Sequence, residues 1–278
     1  MAMTESGVQA LLEDVTAEFS RLPEVKAVVL SGSKGGEFTD EFSDIDLYVY
    51  AKTEPSKIWR AELALKFGEN ASIGNEFWEQ GDEWIENSTG TVVDIMYRTP
   101  IWITQQFDRV LNRHQASIGY STCFVHNVLC SKVLYDCDGW FESLRAKAQQ
   151  PYSEALRKAI IAKNHPILRS TLSSFMHQIE IALSRKDLPS LNHRITALLA
   201  SYFDILFAVN RVFHPGEKRL LAYALEKCPK RPPQIEVQVN TLLASIAEIS
   251  QPMLLQRVNE LLDGLDVLLV AEGMMATK

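Results

Sequence analysis

The stretch Ser31–Tyr50, SGSKGGEFTDEFSDIDLYVY, is the part of the chain that decides its fold. It follows the apolar run Val28-Val29-Leu30 and begins with a glycine-rich turn. Ten residues after Ser33 the chain enters a second apolar run that contains Asp44-Ile45-Asp46. Alternate residues of a strand leave the same face, roughly 7 Å apart along the backbone, so these two carboxylates repel each other unless a cation lies nearby. The pattern therefore indicates a use other than folding.

The segments around this stretch alternate between helical and strand periodicity. Apolar residues recur with helical spacing over 7–20 and 55–67, and short apolar runs predict strands at 26–32 and 44–51. Two or three strands are expected within 70–97 and a helix within 100–113. The region up to 136 fits either a helix or a strand. After about residue 150 only amphipathic helices are predicted, over 153–185 with a break or kink near Pro166, 190–213, about 217–227, 235–247 and 251–273.

These patterns predict an α+β protein of two domains. Residues 1–148 are expected to form a mixed sheet flanked by helices, and residues 149–278 a helical bundle. Residues 1–148 hold 13 Lys and Arg against 23 Asp and Glu, whereas the remaining residues hold 15 against 12. The acidic first half disfavours a nucleic-acid track and suits metal ions or a small cationic acceptor. A solvated acidic surface explains most of these carboxylates equally well.

The Asp44–Asp46 pair and the turn before it fit phosphate chemistry. Mg²⁺ prefers oxygen ligands and often takes one or two carboxylates together with substrate phosphates. Glycines allow backbone N–H groups to approach phosphate oxygens, and the Ser33 hydroxyl adds a donor. Each feature also has an ordinary explanation, an acidic pair facing water and a plain glycine-rich turn. No P-loop pattern is present.

The two features together resemble the polymerase-β-type nucleotidyltransferase superfamily. The resemblance consists of Leu30-Ser31-Gly32-Ser33, ten intervening residues, and Asp44-Ile45-Asp46-Leu47, with an apolar strand on both sides. It covers roughly residues 26–97. The two-domain layout makes the chain most similar to bacterial aminoglycoside and lincosamide nucleotidyltransferases.

The resemblance implies a set of site residues. A third carboxylate is expected on a nearby strand, and Asp94 in TVVDIMY is the candidate. It would be a metal ligand together with Asp44 and Asp46, or the base. An ion pair with Arg98 is the alternative explanation for this residue. Gly32 and Ser33 would hold phosphates. In similar enzymes a helical-domain lysine meets the triphosphate, and Lys218 is the matching residue, expected in the first turn of a helix. Glu180, three residues from His177, and Asp204 are alternative bases.

The expected activity is transfer of a nucleoside monophosphate from an NTP, with ATP the expected nucleotide and Mg²⁺ the cofactor, to a hydroxyl of a small molecule, with release of pyrophosphate. An antibiotic acceptor follows from the resemblance alone. A protein-modifying, antitoxin-like enzyme and a non-catalytic nucleotide-binding module remain alternatives. The sequence predicts a cytoplasmic protein without a membrane partner, and leaves a homodimer open.

Overall fold

The computed structural model describes residues 5–31, 44–77, 79–246 and 251–276. Contacts within the chain group it into two units. The first comprises Met1–Asp108 and Phe124–Gln150, and the second Arg109–Cys123 and Pro151–Lys278. The domain boundary expected after residue 148 stays a prediction. The α+β class, with a mixed sheet and a helical C-terminal part, is confirmed.

The first unit is built on a six-stranded sheet. In chain order the strands are β1 (Val25–Leu30), β2 (Ile45–Ala51), β3 (Gly68–Asn75), β4 (Gly81–Glu86), β5 (Val92–Arg98) and β6 (Lys132–Asp136). Their spatial order is β3-β4-β5-β2-β1-β6. β2 and β5 run parallel, and the other neighbouring pairs run antiparallel. The parallel pair needs a long crossover, which the helix and hairpin between β2 and β5 supply.

Helices flank this sheet. They are α1 (Glu5–Ser20), α2 (Lys57–Phe67), α3 (Pro100–Phe107), which continues as a π-helical turn over Asp108–Asn112, α4 (Cys123–Cys130) and α5 (Trp140–Ala148). Local sequence explains two of the starts: Ser56 caps α2, and Thr99 caps α3 directly before Pro100 at its first position.

One face of the sheet forms the apolar core of the first unit. Phe19 of α1 and Leu63 of α2 pack against Leu47, Val49 and other buried residues of the strands. Because side chains alternate along a strand, burial of Ile45, Leu47 and Val49 directs Asp46 and Tyr48 to the opposite face. The packing of α1 and α2 therefore fixes which face carries the acids.

The second unit is helical. Its helices are α6 (Glu154–Arg169), α7 (Phe175–Ser184), α8 (Leu188–Asn210), α9 (Leu220–Lys227), α10 (Ile235–Ala244) and α11 (Gln251–Ala271). α8 lies at its centre, with Phe203, Leu206 and Val209 among its buried residues. Within the described ranges, no helix combines the length and the apolar character that crossing a bilayer requires.

The predicted helix over 153–185 is broken near Pro166, although not at the proline itself. Pro166 lies inside α6, and the chain leaves helical structure after Arg169 instead. α7 begins at Phe175 because the Ser174 hydroxyl accepts a hydrogen bond from the His177 amide. The segment between the two helices, STLSS over 170–174, is rich in serine, which is typical of a turn. The proline had been the stronger signal in the sequence.

Candidate active site

Two aspartates lie side by side on the parallel pair of strands. In the register of β2 and β5, Asp46 is the partner of Asp94, and both side chains are half-buried. Neighbouring strands lie about 4.8 Å apart, so the two carboxylates leave the same face as close neighbours. Asp44 is exposed and directly precedes β2. The strand pairing thus brings together residues separated by 48 positions in the sequence.

A third acid extends this row. Glu83 of β4 is the antiparallel partner of Asp94, so the order across three adjacent strands is Asp46, Asp94, Glu83. The sequence interpretation did not select Glu83. It lies in GDEWIE among several other acids, and only the pairing of β4 with β5 distinguishes it from them.

The environment of Asp94 favours its protonated form. Partial burial, followed by the negative charges of Glu83, Asp46 and Asp44, raises its pKa to about 6. A carboxyl group with a pKa near 6 is ionised at neutral pH and is a stronger base than an ordinary aspartate. The same crowding means that a cation at this position would relieve repulsion among the acids.

Arg98 does not serve as the partner of Asp94. Its guanidinium binds Glu79, with Nε–Oε2 and Nη2–Oε1 distances of 2.9 and 2.7 Å. The same group lies 3.8 Å from the ring centroid of Tyr48 and 5.2 Å from that of Trp102. This arrangement keeps the buried cation neutralised by Glu79 and leaves Asp94 among carboxylates.

Ser31, which directly precedes Gly32 and Ser33 in the sequence, lies beside Asp46. The backbone N–H of Ser31 donates to the Asp46 carbonyl over 2.8 Å, and the Ser31 side chain is buried. This bond joins Ser31, the residue before Gly32, to the strand that carries Asp46. Gly32 and Ser33 themselves lie outside the described residues, so their phosphate-binding role stays a prediction.

The acids fit a magnesium ion that completes its ligand sphere from the substrate. In the parts of the chain that the structure describes, no three His, Cys, Asp or Glu side chains form a preassembled metal site, so the set Asp44, Asp46 and Asp94 stays a prediction. Mg²⁺ commonly takes one or two carboxylates and draws its other ligands from phosphates and water. The neighbouring carboxylates of Asp46 and Asp94 provide hard oxygen ligands of that kind. The raised pKa of Asp94 reflects burial first and then the negative charge that an ion would offset.

The second unit places Lys218 in a turn. The side chain is exposed, and α9 begins at Leu220, so the expected position within the first helical turn is wrong by two residues. Arg219 adopts left-handed backbone geometry at the helix start, which separates Lys218 from the helix. Its role toward a triphosphate stays a prediction.

Asp204 has a structural environment within the second unit. It is buried in α8, Oδ1 accepts from the Ser121 amide, and Oδ2 accepts from Ser121 Oγ over 2.6 Å and from Asn164 Nδ2 over 3.2 Å. Burial raises its pKa to about 7, although these hydrogen bonds act in the opposite direction. Since both oxygens bind neighbouring groups, Asp204 anchors the chain around Ser121. The other alternative base, Glu180, is exposed and lies 3.4 Å from His177 Nδ1.

A family model described as a domain of unknown function, DUF4037, matches residues 122–220, just over a third of the chain. The matched part begins before α4 and ends at the start of α9, so it excludes the strands that carry Asp46 and Asp94. No curated protein matches the chain in sequence.

Solved structures with a broad likeness include nucleotidyltransferase-like proteins and CCA-adding enzymes. A nucleotidyltransferase-like protein from Exiguobacterium sibiricum is 14% identical, with a TM-score of 0.44, over 94% of this chain and 75% of that one. The CCA-adding enzyme of Thermotoga maritima, complexed with tRNA, is 12% identical, with a TM-score of 0.33, over 88% of this chain and 58% of that one. A CCA-adding enzyme complexed with ATP is 12% identical, with a TM-score of 0.32, over 88% of this chain and 59% of that one. The chain thus spans less than two thirds of these two CCA-adding enzymes.

Proposed function

We propose that this chain is a Mg²⁺-dependent nucleotidyltransferase, which moves a nucleoside monophosphate from an NTP to a hydroxyl group and releases pyrophosphate. The observation that carries the proposal is the register of β2 and β5, which pairs Asp46 with Asp94 beside Ser31, the residue before Gly32 and Ser33. A stable fold alone gives no reason to align two acids in this way, because adjacent like charges destabilise a sheet.

In the proposed reaction each acid has a distinct task. Asp44 and Asp46 hold the ion, and Gly32 and Ser33 bind the phosphates. When bound, Mg²⁺ supplies charge neutralisation for the phosphate oxygens. The acceptor oxygen forms a bond to the α-phosphorus, the bond from that phosphorus to the oxygen bridging to the β-phosphate breaks, and pyrophosphate leaves with the bonding electrons.

Asp94 is suited to receive the acceptor proton in this reaction. Its pKa of about 6 leaves it ionised at neutral pH. At this pKa Asp94 is also a stronger base toward the acceptor hydroxyl than an aspartate of ordinary pKa. It also completes the ligand set. Lys218 is the proposed contact to the triphosphate, with ATP the expected nucleotide.

The acceptor that we propose is a small hydroxylated and cationic molecule, such as an aminoglycoside, with a lincosamide as the second compound to test. The excess of acid in residues 1–148 supports a positively charged acceptor, since opposite charge concentrates it near the sheet. The same charge disfavours an RNA acceptor.

The test is pyrophosphate release from ATP, GTP, CTP and UTP with Mg²⁺, in the presence of aminoglycosides, lincosamides and an RNA 3′ end. The proposal expects release that requires both Mg²⁺ and one acceptor, and that is lost in Asp46→Asn and in Asp94→Asn. Asp138→Asn is the matched control, because it removes an exposed carboxylate that binds Lys26 beyond the end of β6. Turnover by Asp46→Asn near the wild-type rate would refute the assignment.

A further inference from the structure

We infer that Asn127 is a positioning residue for nucleotide binding, acting through Ser31 at the start of the glycine-serine turn. The inference rests on the proposed function. Asn127 lies on α4, far along the sequence from the strands that carry the acids, and no motif of the sequence analysis included it.

The contact is short and buried at its receiving end. Asn127 Nδ2 donates to Ser31 Oγ over 2.6 Å, and Ser31 is 3% exposed. The Ser31 backbone N–H in turn donates to the Asp46 carbonyl over 2.8 Å. Two hydrogen bonds therefore link three parts of the chain. One connects α4 to Ser31, and the other connects Ser31 to the strand of Asp46.

The amide of Asn127 depends on this bond. Its Oδ1 is buried and accepts no hydrogen bond from residues that the structure describes, so the Ser31 hydroxyl holds the side chain. A buried acceptor without a hydrogen bond lowers the stability of the folded chain, and a residue that only fills space would not carry this cost. An apolar side chain of similar size would fill the same place without that cost. An asparagine at this position is thus best explained by the hydrogen bond that its Nδ2 donates to Ser31.

The position of Ser31 matters because the next two residues are the predicted phosphate-binding Gly32 and Ser33. Backbone groups bind phosphate well only when they are held in place before the ligand arrives, since ordering them on binding reduces affinity. Asn127 fixes Ser31 from one side, and the strand of Asp46 fixes it from the other. The expected consequence is tighter nucleotide binding, with less effect on the chemical step.

The experiment compares Asn127→Ala, Ser31→Ala and the double variant with the wild-type chain. Titration calorimetry gives the Kd of each of the four NTPs with Mg²⁺, and pyrophosphate release gives kcat and KM. Loss of one buried hydrogen bond corresponds to about a tenfold change, so each single variant should raise the nucleotide Kd and KM about tenfold while kcat falls less. The double variant should be no weaker than the weaker single one, because both changes remove the same bond.

Ser131→Ala is the matched control. Its hydroxyl donates to the backbone carbonyl of Asn127 over 2.7 Å, so the variant loses one hydrogen bond at the same end of α4 without touching Ser31. Thermal unfolding of all variants separates loss of fold from loss of binding. Backbone hydrogen exchange at Ser31 adds a readout that needs no ligand, and it should speed up in Asn127→Ala but not in Ser131→Ala.

The outcomes separate the two claims. If the wild-type chain binds NTP and Asn127→Ala binds it as tightly as Ser131→Ala does, the inference is wrong and the proposed function is unaffected. Additive losses in the double variant would likewise overturn it, because the two residues would then act separately. If the wild-type chain binds no NTP with Mg²⁺, the proposed function fails, and the inference fails with it.

Discussion

Asp94 has a carboxyl group whose surroundings oppose its ionisation. The neighbouring charges that act on it are carboxylates, and the nearby Arg98 is bound to Glu79 instead. Burial, and after it these carboxylates, raise its pKa in the folded chain from the ordinary value of 3.8 to about 6. Above pH 6 the folded chain therefore carries an unfavourable charge that the unfolded chain tolerates, and below about pH 4 this cost disappears.

Asp94→Asn should consequently stabilise the metal-free protein at pH 8. After allowance for solvent screening, the expected gain is about 1 kcal/mol, or about 2 °C in Tm, and it should vanish near pH 4. Calorimetry at both pH values measures it. Asp138→Asn is the control, because Lys26 lowers the pKa of Asp138 and its removal should give no gain. A less stable Asp94→Asn variant at pH 8 would contradict the crowding of charges.

Added Mg²⁺ should reverse this order of stability. Ligand that binds only the folded state raises Tm, so 10 mM Mg²⁺ should raise the Tm of the wild-type protein and leave that of Asp46→Asn and Asp94→Asn nearly unchanged. Thermal scans with and without Mg²⁺ give the answer, and Ca²⁺ tests the preference for the smaller ion. An equal shift in all three proteins would place the ion elsewhere.

At the residue scale the sequence predicted the acids that belong to a local pattern. Asp44 and Asp46 are recognisable from their spacing, and Asp94 because it interrupts an apolar strand. Glu83 and Asn127 were missed, because their importance depends on a strand register and on a helix contact across 96 residues. No short-range pattern encodes either relation.

The pairing of β4 with β5 sets the third acid beside the other two. At the start of β4, Gly81 opposes Met96, and a Cβ at Gly81 would lie 2.5 Å from the Ile95 carbonyl oxygen. That oxygen belongs to the backbone and cannot move aside cheaply. The close approach of these two strands therefore requires glycine at this position.

Gly81→Ala should destabilise the first unit by about 2 kcal/mol, because it forces β4 away from β5. It should also reduce turnover if the place of Glu83 beside Asp94 matters. Denaturant unfolding and the pyrophosphate assay measure the two effects. Glu69→Ala, an exposed change on β3, is the control and should leave stability almost unchanged. Equal stability of both variants would contradict the tight β4–β5 contact.

In the second unit, α8 and the chain around Ser121 are joined by a buried carboxylate. Asp204→Ala removes the acceptor for three hydrogen bonds from Ser121 and Asn164. The buried Ser121 N–H loses its acceptor, whereas the Ser121 hydroxyl and the Asn164 amide keep bonds to backbone carbonyl groups. We expect a loss of about 3 kcal/mol, measured by denaturant unfolding. Asn210→Ala, at the far end of the same helix and less buried, is the comparison and should cost less. A neutral Asp204→Ala variant would contradict the anchoring role.

Elements were easier to predict than their ends. Periodicity identified most helices and strands, and the ambiguous region before 136 contains both, α4 and β6. The break near Pro166 begins only after Arg169, and the proline itself stays inside α6. A proline costs a helix one hydrogen bond, and packing of the neighbouring Leu168 into the core shows that the surrounding helix is retained despite it.

At the scale of the whole molecule, composition predicted the class and left the partner open. The apolar content and the change from strands to helices near residue 150 sufficed for an α+β chain with a helical C-terminal part. The acceptor could not be predicted, because specificity depends on a few side chains placed by tertiary structure. The uneven charge of the chain indicates only that the acceptor carries positive charge.

Mg²⁺-dependent pyrophosphate release by the whole chain is the decisive measurement for the proposed function. The four NTPs are offered with the acceptor panel, to the wild-type protein, to Asp46→Asn and to Asp138→Asn. We predict release that depends on Mg²⁺ and on an acceptor, is unchanged in Asp138→Asn, and falls at least a thousandfold in Asp46→Asn. Release that continues in Asp46→Asn, or NTP binding that needs no Mg²⁺ and leads to no release with any acceptor, would contradict the account.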